Sequence, residues 1–201
     1  MLLAIDTSAG IGVAIVDRDA GVLAERASSD TRSHAELIGD FIAQCLEESG
    51  IAVRDLSGVV AGMGPGPFTG LRVGIAAARA FAIGAAKPVI PVASHDAVAF
   101  GEVGPVLVVT DARRREVYVS AYSGADEGGI PVRVEGPGLF KPDDVTTPEG
   151  YRRLDAATVS AASLGLLAEA MYAHGRPFTA TEPLYLRSPD VTPSDGPKRV
   201  S

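Results

Sequence analysis

The stretch LLAIDTSAGIGVAIVDRDAGVLAERA, residues 2–27, decides the fold at the amino end of the chain. It contains three short runs rich in aliphatic and β-branched residues, and turns that carry glycine and aspartate separate the runs. Runs of this length divided by such turns are typical of neighbouring antiparallel strands. We therefore predict that the chain begins with a three-stranded antiparallel meander.

A long helix is predicted after the meander, between Ser33 and Gly50. Ser33 and Glu36 form a capping-box pattern, and Gly50 is a common residue at a helix end. One face of this helix is apolar, because hydrophobic residues recur at helical spacing. They are Leu37, Ile38, Phe41, Ile42, Cys45 and Leu46.

A loop rich in glycine and proline, GMGPGPFTGLRVG at residues 62–74, leads into a second predicted helix from Phe68 to Gly84. The loop lacks the third glycine of a dinucleotide-binding fingerprint and the lysine of a Walker loop. Gly64 and Gly66 permit a sharp turn, and free N–H groups at a helix start can attract an anion. We favour a structural turn, with an anion site as the alternative.

The second helix is unusually poor in side-chain bulk. Glycine and alanine recur along it at spacings of three and four residues, at Gly70, Gly74, Ala77 and Ala78. Glycine costs about 1 kcal/mol relative to alanine inside a helix, so a close neighbour must compensate. That neighbour is either the sheet beneath the helix or a helix of a partner.

The second half of the chain repeats the first in outline. PVLVVTDARRREVYVSAYS, residues 105–123, has a strand closed by Asp111, a turn and a second strand, as the chain has around Asp6. This similarity predicts a duplicated domain, although two unrelated hairpins are an alternative. Beyond Gly136 we predict loop, and then a helix from Ala156 to His174.

These elements predict an α/β fold in which helices pack on mixed sheets. We expect a first lobe at residues 1–102, a smaller second lobe at residues 103–187 and a loose tail at residues 188–201.

Composition excludes several classes of protein. The single cysteine, Cys45, permits no internal disulfide and no paired-cysteine metal site. The amino-terminal apolar run has no basic leader and is interrupted at Asp6, so we expect a cytoplasmic protein without a membrane segment.

The net charge of −7 opposes nucleic-acid binding over most of the surface. For the three consecutive arginines at residues 113–115 we favour a solvated turn over a phosphate contact.

No catalytic residues and no metal site are predicted. The histidines His34, His95 and His174 are scattered, without the spacing that places two imidazoles on one helical face. The chain has no G-x-S-x-G elbow, and Cys45 falls in an apolar helical stripe.

The most suggestive chemistry lies at the end of the first strand. A carboxylate at Asp6 could hold a hydrated magnesium ion near phosphates, or it could cap its own turn, which we favour slightly. We expect no cofactor on this chain. The candidate cofactor-binding residues are Asp6, Thr7, Ser8, Gly64 and Gly66.

Five segments resemble the TsaB family, also called YeaZ, whose members are partner subunits in the synthesis of threonylcarbamoyladenosine in bacterial tRNA. The segments run from Leu3 to Arg187, and the glycine-proline loop is the most diagnostic of them. They are LAIDTS, SHAELI, GMGPGPFTGLRVGIAAARAFA, DARRREVY and EPLYLR.

The resemblance implies an actin-like, Hsp70-like ATPase fold of the ribonuclease H type, with two related lobes. It also implies a subunit without catalysis of its own that pairs with the metal-bearing transferase TsaD and with TsaE, contacts tRNA through that complex, and leaves ATP and magnesium to the wider pathway. Family members pair through their first two helices, with TsaD or with a second copy when alone. The implied interface residues are Leu37, Ile38, Phe41, Ile42, Cys45, Leu71, Gly74, Ile75 and Ala78.

One departure concerns the second lobe. Family members usually carry a glycine-aspartate-glycine segment before the last long helix, whereas TTPEGYRRLDAATVS bridges this region directly. Either the second lobe is reduced, as we expect, or residues are missing from this sequence. Two other functions stay open as alternatives: an independent small ATPase or phosphotransferase, and a glycoprotease, which no nucleophile or metal pair supports.

Overall fold

A computed structural model describes residues 1–29 and 34–187 of the chain, with only the backbone described at His34 and Ala35. Two predictions lie outside these residues: the contribution of Ser33 to a capping box and the loose tail at residues 188–201.

The predicted meander is confirmed, and it forms one side of a five-stranded sheet. Strands β1, β2 and β3 pair antiparallel, while β4 and β5 are added in parallel, giving the order β3-β2-β1-β4-β5. The bounds are β1 Leu2–Asp6, β2 Ile11–Asp17, β3 Gly21–Ser28, β4 Gly58–Gly62 and β5 Val89–Val92.

Helices cover both faces of this first sheet. The helices α1 and α2, both predicted, pack on one face, and α4 packs on the other. Every residue of β1 and β4 is therefore buried, as expected for central strands covered on both sides. The bounds are α1 His34–Ser49, α2 Phe68–Ala85, α3 Ser94–Ala99 and α4 Ala161–Ala173.

The second sheet has four strands in the order β8-β7-β6-β9. Its β6 pairs antiparallel with β7 and parallel with β9, just as β1 pairs antiparallel with β2 and parallel with β4. The predicted internal repeat is thus present in the topology of both lobes. The bounds are β6 Val106–Arg113, β7 Glu116–Ala125, β8 Pro131–Phe140 and β9 Arg152–Ala156.

The sequence analysis missed both edge strands of this sheet. Strand β8 carries prolines at Pro131 and Pro137, and Gly136 has a φ of 84° at an irregularity in the pairing. Strand β9 is short and mostly charged, RRLDA. Edge strands tolerate proline and charge because one side of the backbone pairs with no other strand. The predicted helix therefore begins at Ala161 rather than at Ala156.

The last part of the chain returns to the first lobe. Helix α4 contacts β1 and β2, and the segment after it follows the same lobe. There Thr179 donates to the carbonyl of Pro91 at 3.2 Å, and Leu184 donates to the carbonyl of Met63 at 2.8 Å. Residues 161–187 therefore follow the second lobe in the chain but pack against the first lobe.

Helix α3, which the sequence analysis did not predict, attaches to the second sheet through a buried histidine. The two ring nitrogens of His95 lie 2.8 Å from the hydroxyls of Ser120 and Thr110. Burial, together with the positive charge of Arg133, lowers the pKa of His95 to about 3 from its ordinary value of 6.5. The folded protein therefore keeps this imidazole neutral.

The lowered pKa of His95 should make the free energy of unfolding depend on pH. Between pH 6.5 and about pH 3 the unfolded chain binds a proton at His95 that the folded chain does not bind. The free energy of unfolding should therefore fall by about 1.4 kcal/mol for each pH unit of acidification within this window. Urea denaturation at pH 6 and pH 5 measures the difference.

The variant His95→Gln should lose most of this contribution, since an amide can both donate and accept in place of the ring. The control His174→Gln replaces an exposed histidine and should keep the pH dependence of the unaltered chain. Equal slopes for His95→Gln and the unaltered chain would contradict the assignment.

Candidate functional site

The carboxylate of Asp6, at the end of β1, holds together three segments of the first lobe. Its Oδ1 accepts from the backbone N–H and the hydroxyl of Ser8, at 2.8 and 2.6 Å. Its Oδ2 accepts from the hydroxyl of Ser94 at 2.5 Å, and that hydroxyl in turn accepts from the N–H of Gly64. Asp6 therefore caps its own turn, as the favoured interpretation predicted, and also binds the glycine loop to the start of α3.

Two positions near this carboxylate require glycine because a side chain there would collide with neighbouring atoms. A Cβ at Gly62 would lie 1.9 Å from the carboxylate Oδ2, and one at Gly66 would lie 2.8 Å from the Cα of Ser8. Gly64 is needed instead for its backbone, which has a φ of 92°. The glycine loop is thus a close-packed turn over the end of β1.

The neighbouring threonine explains the small residues in α2. The hydroxyl of Thr7 donates to the carbonyl of Gly70 at 2.7 Å and accepts from the N–H of Gly74 at 3.1 Å. A Cβ at Gly74 would lie 2.2 Å from that oxygen. The close neighbour predicted for this helix is therefore β1 of the same chain.

The candidate cofactor-binding residues line or adjoin a cleft between the lobes. Thr7 and Ser8 face a cavity of about 360 Å³, with Asp111 and Arg113 on its opposite side. Asp6 is only 2% exposed and its hydrogen-bonded oxygens point into the protein. Such a carboxylate does not fit a magnesium ion with a hydration shell. The described residues contain no cluster of acidic, histidine or cysteine side chains arranged to hold a metal.

Six of the nine predicted interface residues are buried within the first lobe, which corrects that prediction. The side chains of α1 and α2 that point to the sheet already pack in this chain's own core, so they cannot also contact a partner. These residues are Ile38, Cys45, Leu71, Gly74, Ile75 and Ala78. Burial also raises the pKa of the Cys45 thiol to about 11, so it is not a nucleophile. The other three, Leu37, Phe41 and Ile42, are half-buried.

The opposite side of α2 is exposed, and apolar residues lie there beside the exposed Arg72 and Arg79. The helix has a mean hydropathy of 1.2 over its 18 residues. By length and composition alone it could span a membrane, yet only 33% of its residues are buried inside the protein. We call the apolar residues on this side the outer face: Ala76, Ala80 and Ile83, which are exposed, and Val73 and Ala77, which are half-buried. Ile83 is 81% exposed. The sequence analysis missed this face because apolar residues follow both sides of the helix.

Comparisons with known proteins agree with this architecture. The family model described as "TsaD: tRNA N6-adenosine threonylcarbamoyltransferase" matches residues 13–150. A crystal structure from Pseudomonas aeruginosa, described as an uncharacterized protein with similarity to peptidase YeaZ, has a TM-score of 0.77 and 25% sequence identity. The match covers 92% of this chain and 99% of that one.

The tRNA threonylcarbamoyladenosine biosynthesis protein TsaB of Escherichia coli is 36% identical over 119 residues, which are 57% of this chain and 51% of that protein. This chain belongs to the TsaB (YeaZ) family. The fold is therefore the actin-like, ribonuclease H-like fold of that family. An uncharacterized protein of Mycobacterium leprae is 39% identical over 210 residues, covering 96% of this chain and 56% of the relative. The chain thus spans about half the length of these two relatives.

The glycines of α2 in this TsaB-family chain provide a matched pair for a stability test. Gly74→Ala should lower the free energy of unfolding by about 3 kcal/mol, because the new methyl group overlaps the buried Thr7 hydroxyl. Gly84→Ala, where nothing lies within 4 Å, should raise it by about 0.5–1 kcal/mol through helix propensity alone. Urea denaturation checks both values, and a similar effect at the two positions would rule out the proposed packing.

Proposed function

We propose that this chain is a non-catalytic scaffold subunit that pairs with the transferase TsaD in the formation of threonylcarbamoyladenosine at adenosine 37 of tRNA. Membership of the TsaB family supports a role in this modification. The site geometry supports a scaffold, because the strand-end carboxylate of Asp6 is used to hold the fold together.

The single observation that carries the proposal is the outer face of α2. Monomeric proteins seldom leave a contiguous apolar helix face in water, and such a face is typical of a docking surface. The buried side of the same helix already supplies the core, so the outer face is available to a partner.

TsaD is the occupant that we assign to this face. The transferase family model matches residues 13–150, a range that contains α2 and most of the first sheet. A transferase chain therefore has a counterpart of α2, and two related chains can pair helix against helix around an approximate two-fold axis. The same geometry permits a homodimer when this chain is alone.

The remaining parts of the proposal follow the family. TsaE joins the pair, tRNA is bound by the assembled complex in the cytoplasm, and this chain binds no nucleotide or metal of its own. ATP and magnesium are used by the other proteins of the pathway. The packed turn around Asp6 supports the absence of a magnesium nucleotide at that carboxylate.

A charge placed on the outer face tests the pairing. Ala80→Glu should weaken the association with TsaD by at least about tenfold, because a buried unpaired carboxylate costs several kcal/mol at an apolar interface. The control Ala173→Glu adds the same side chain at an exposed position of α4 and should leave the affinity unchanged. Biolayer interferometry with immobilised TsaD measures both variants.

Thermal unfolding of the two variants must first show that each is folded. A folded Ala80→Glu protein should also fail to support threonylcarbamoyladenosine formation when mixed with the other pathway proteins. Full TsaD affinity in that variant would eliminate the outer face as the interface. Full modification activity without any TsaD binding would eliminate the scaffold role itself.

A further inference from the structure

Three of the five family segments meet at one concave surface that the proposed function does not use. A cavity of about 410 Å³ is lined by the glycine loop at residues 66–69, by residues 112–114 at the end of β6 and the start of the turn to β7, and by the carboxy-terminal segment 185–187. These positions are far apart in sequence. We call this surface the arginine groove and define it by Phe68, Arg113, Arg114, Tyr185 and Arg187.

One wall of the groove is an aromatic platform joined by an arginine. The Phe68 and Tyr185 rings are 4.8 Å apart between centroids, and each residue is 36% exposed. The guanidinium of Arg72 lies 3.7 Å above the Phe68 ring, and its Nε donates to the Tyr185 hydroxyl at 3.2 Å. These contacts fix flat groups at the surface, where a nucleobase can stack on them.

The opposite wall is a turn with an unusual backbone. Arg113, Arg114 and Arg115 have φ values of 64°, 54° and 62°, so three consecutive arginines are in the left-handed region. This conformation costs about 1–2 kcal/mol for each residue with a Cβ, and glycine would avoid the cost. Strained positions of this kind cluster at functional sites. We therefore expect the exposed arginine side chains themselves to have a use.

Further contacts hold the groove in place. Arg187 forms an ion pair with Glu116 on β7, and its guanidinium lies 3.5 Å from the carbonyl of Arg113. Arg79, which follows Arg72 on α2, donates to the carbonyl of Thr181 at 2.8 Å. The carboxy-terminal segment is thus bound to both α2 and the arginine turn, so the two walls keep a fixed separation.

The charge of the groove contrasts with that of the whole chain. The protein carries a net charge of −7, whereas Arg113, Arg114 and Arg187 line this cavity and Arg72 lies against its aromatic wall. These arginines outnumber the two carboxylates that pair with them, Asp111 with Arg113 and Glu116 with Arg187. A local positive surface on an acidic protein attracts a polyanion at that place and repels it elsewhere. Arginines beside exposed aromatic rings are the usual composition of surfaces that bind single-stranded RNA.

We propose that the arginine groove binds a short single-stranded segment of RNA, with phosphates on Arg113 and Arg114 and a base stacked on Tyr185. This proposal rests on the proposed function, because the tRNA of the complex is the RNA that it would contact. It adds that this chain touches the RNA directly. An acidic protein segment is the other class of ligand that such a groove attracts, and the experiment separates the two.

The test uses a fluorescein-labelled anticodon stem-loop RNA and the full chain, alone and in complex with TsaD. Fluorescence anisotropy across a series of KCl concentrations gives the affinity and its salt dependence. The double variant Arg113→Gly/Arg114→Gly should bind the RNA at least about tenfold more weakly, and the slope of log K against log salt should decrease in magnitude by about 1.4. Its midpoint of thermal unfolding should stay the same or rise by a few degrees, since glycine relieves the backbone strain.

Tyr185→Ala is a second variant that tests stacking instead of charge. It should weaken RNA binding by about fivefold to a hundredfold while leaving the salt slope unchanged. The control Arg18→Ala/Arg54→Ala also removes two positive charges, but from exposed positions of the first lobe away from the groove, and should keep both the affinity and the slope.

The outcomes separate this proposal from the scaffold role. Unchanged RNA affinity in folded groove variants would overturn the RNA proposal, whatever their binding to TsaD. Unchanged RNA affinity with loss of TsaD binding would identify the groove as a protein contact. If the unaltered chain did not bind TsaD at all, the scaffold role would fail, while anisotropy of the isolated chain would still decide whether the groove binds RNA.

Discussion

The rest of the first lobe depends on the hydrogen bonds that the carboxylate of Asp6 accepts from Ser8 and Ser94. Through them the end of β1, the glycine loop and the start of α3 are fixed to one another. A buried carboxylate is stable only when its oxygens are satisfied, so these partners are obligatory and not incidental.

Helix α2 shows how one element can serve two purposes. Its inner side gives up side-chain volume so that the helix can lie against Thr7. Under the proposed function, the alanines of its outer side would let a partner helix approach closely. The small residues of one helix would then have two separate causes. The side of the helix distinguishes the two groups of small residues, because Gly74 is covered by its own chain while Ala80 is exposed.

Local signals predicted the meander, α1, α2 and the repeated hairpin, since alternation, caps and turns act over a few residues. Long-range contacts were not predictable: Ser94 is 88 residues from the Asp6 carboxylate that it binds. Strands β8 and β9 were missed because an edge needs little apolar character. The predicted interface failed at residues such as Leu71 for a related reason. An apolar stripe shows which side chains avoid water, but it does not show whether the same chain or another one covers them.

The layer formed by α3 and α4 lies between the two sheets, and its consequence reaches beyond packing. The inner side chains of the first sheet, among them Leu2 and Val16, share one hydrophobic cluster with α4, although α4 follows the second sheet in the chain. A fragment ending at residue 102 would leave this surface bare. The two halves therefore resemble each other in topology, but a helix that follows the second sheet completes the core of the first, and the halves should melt together as one cooperative unit.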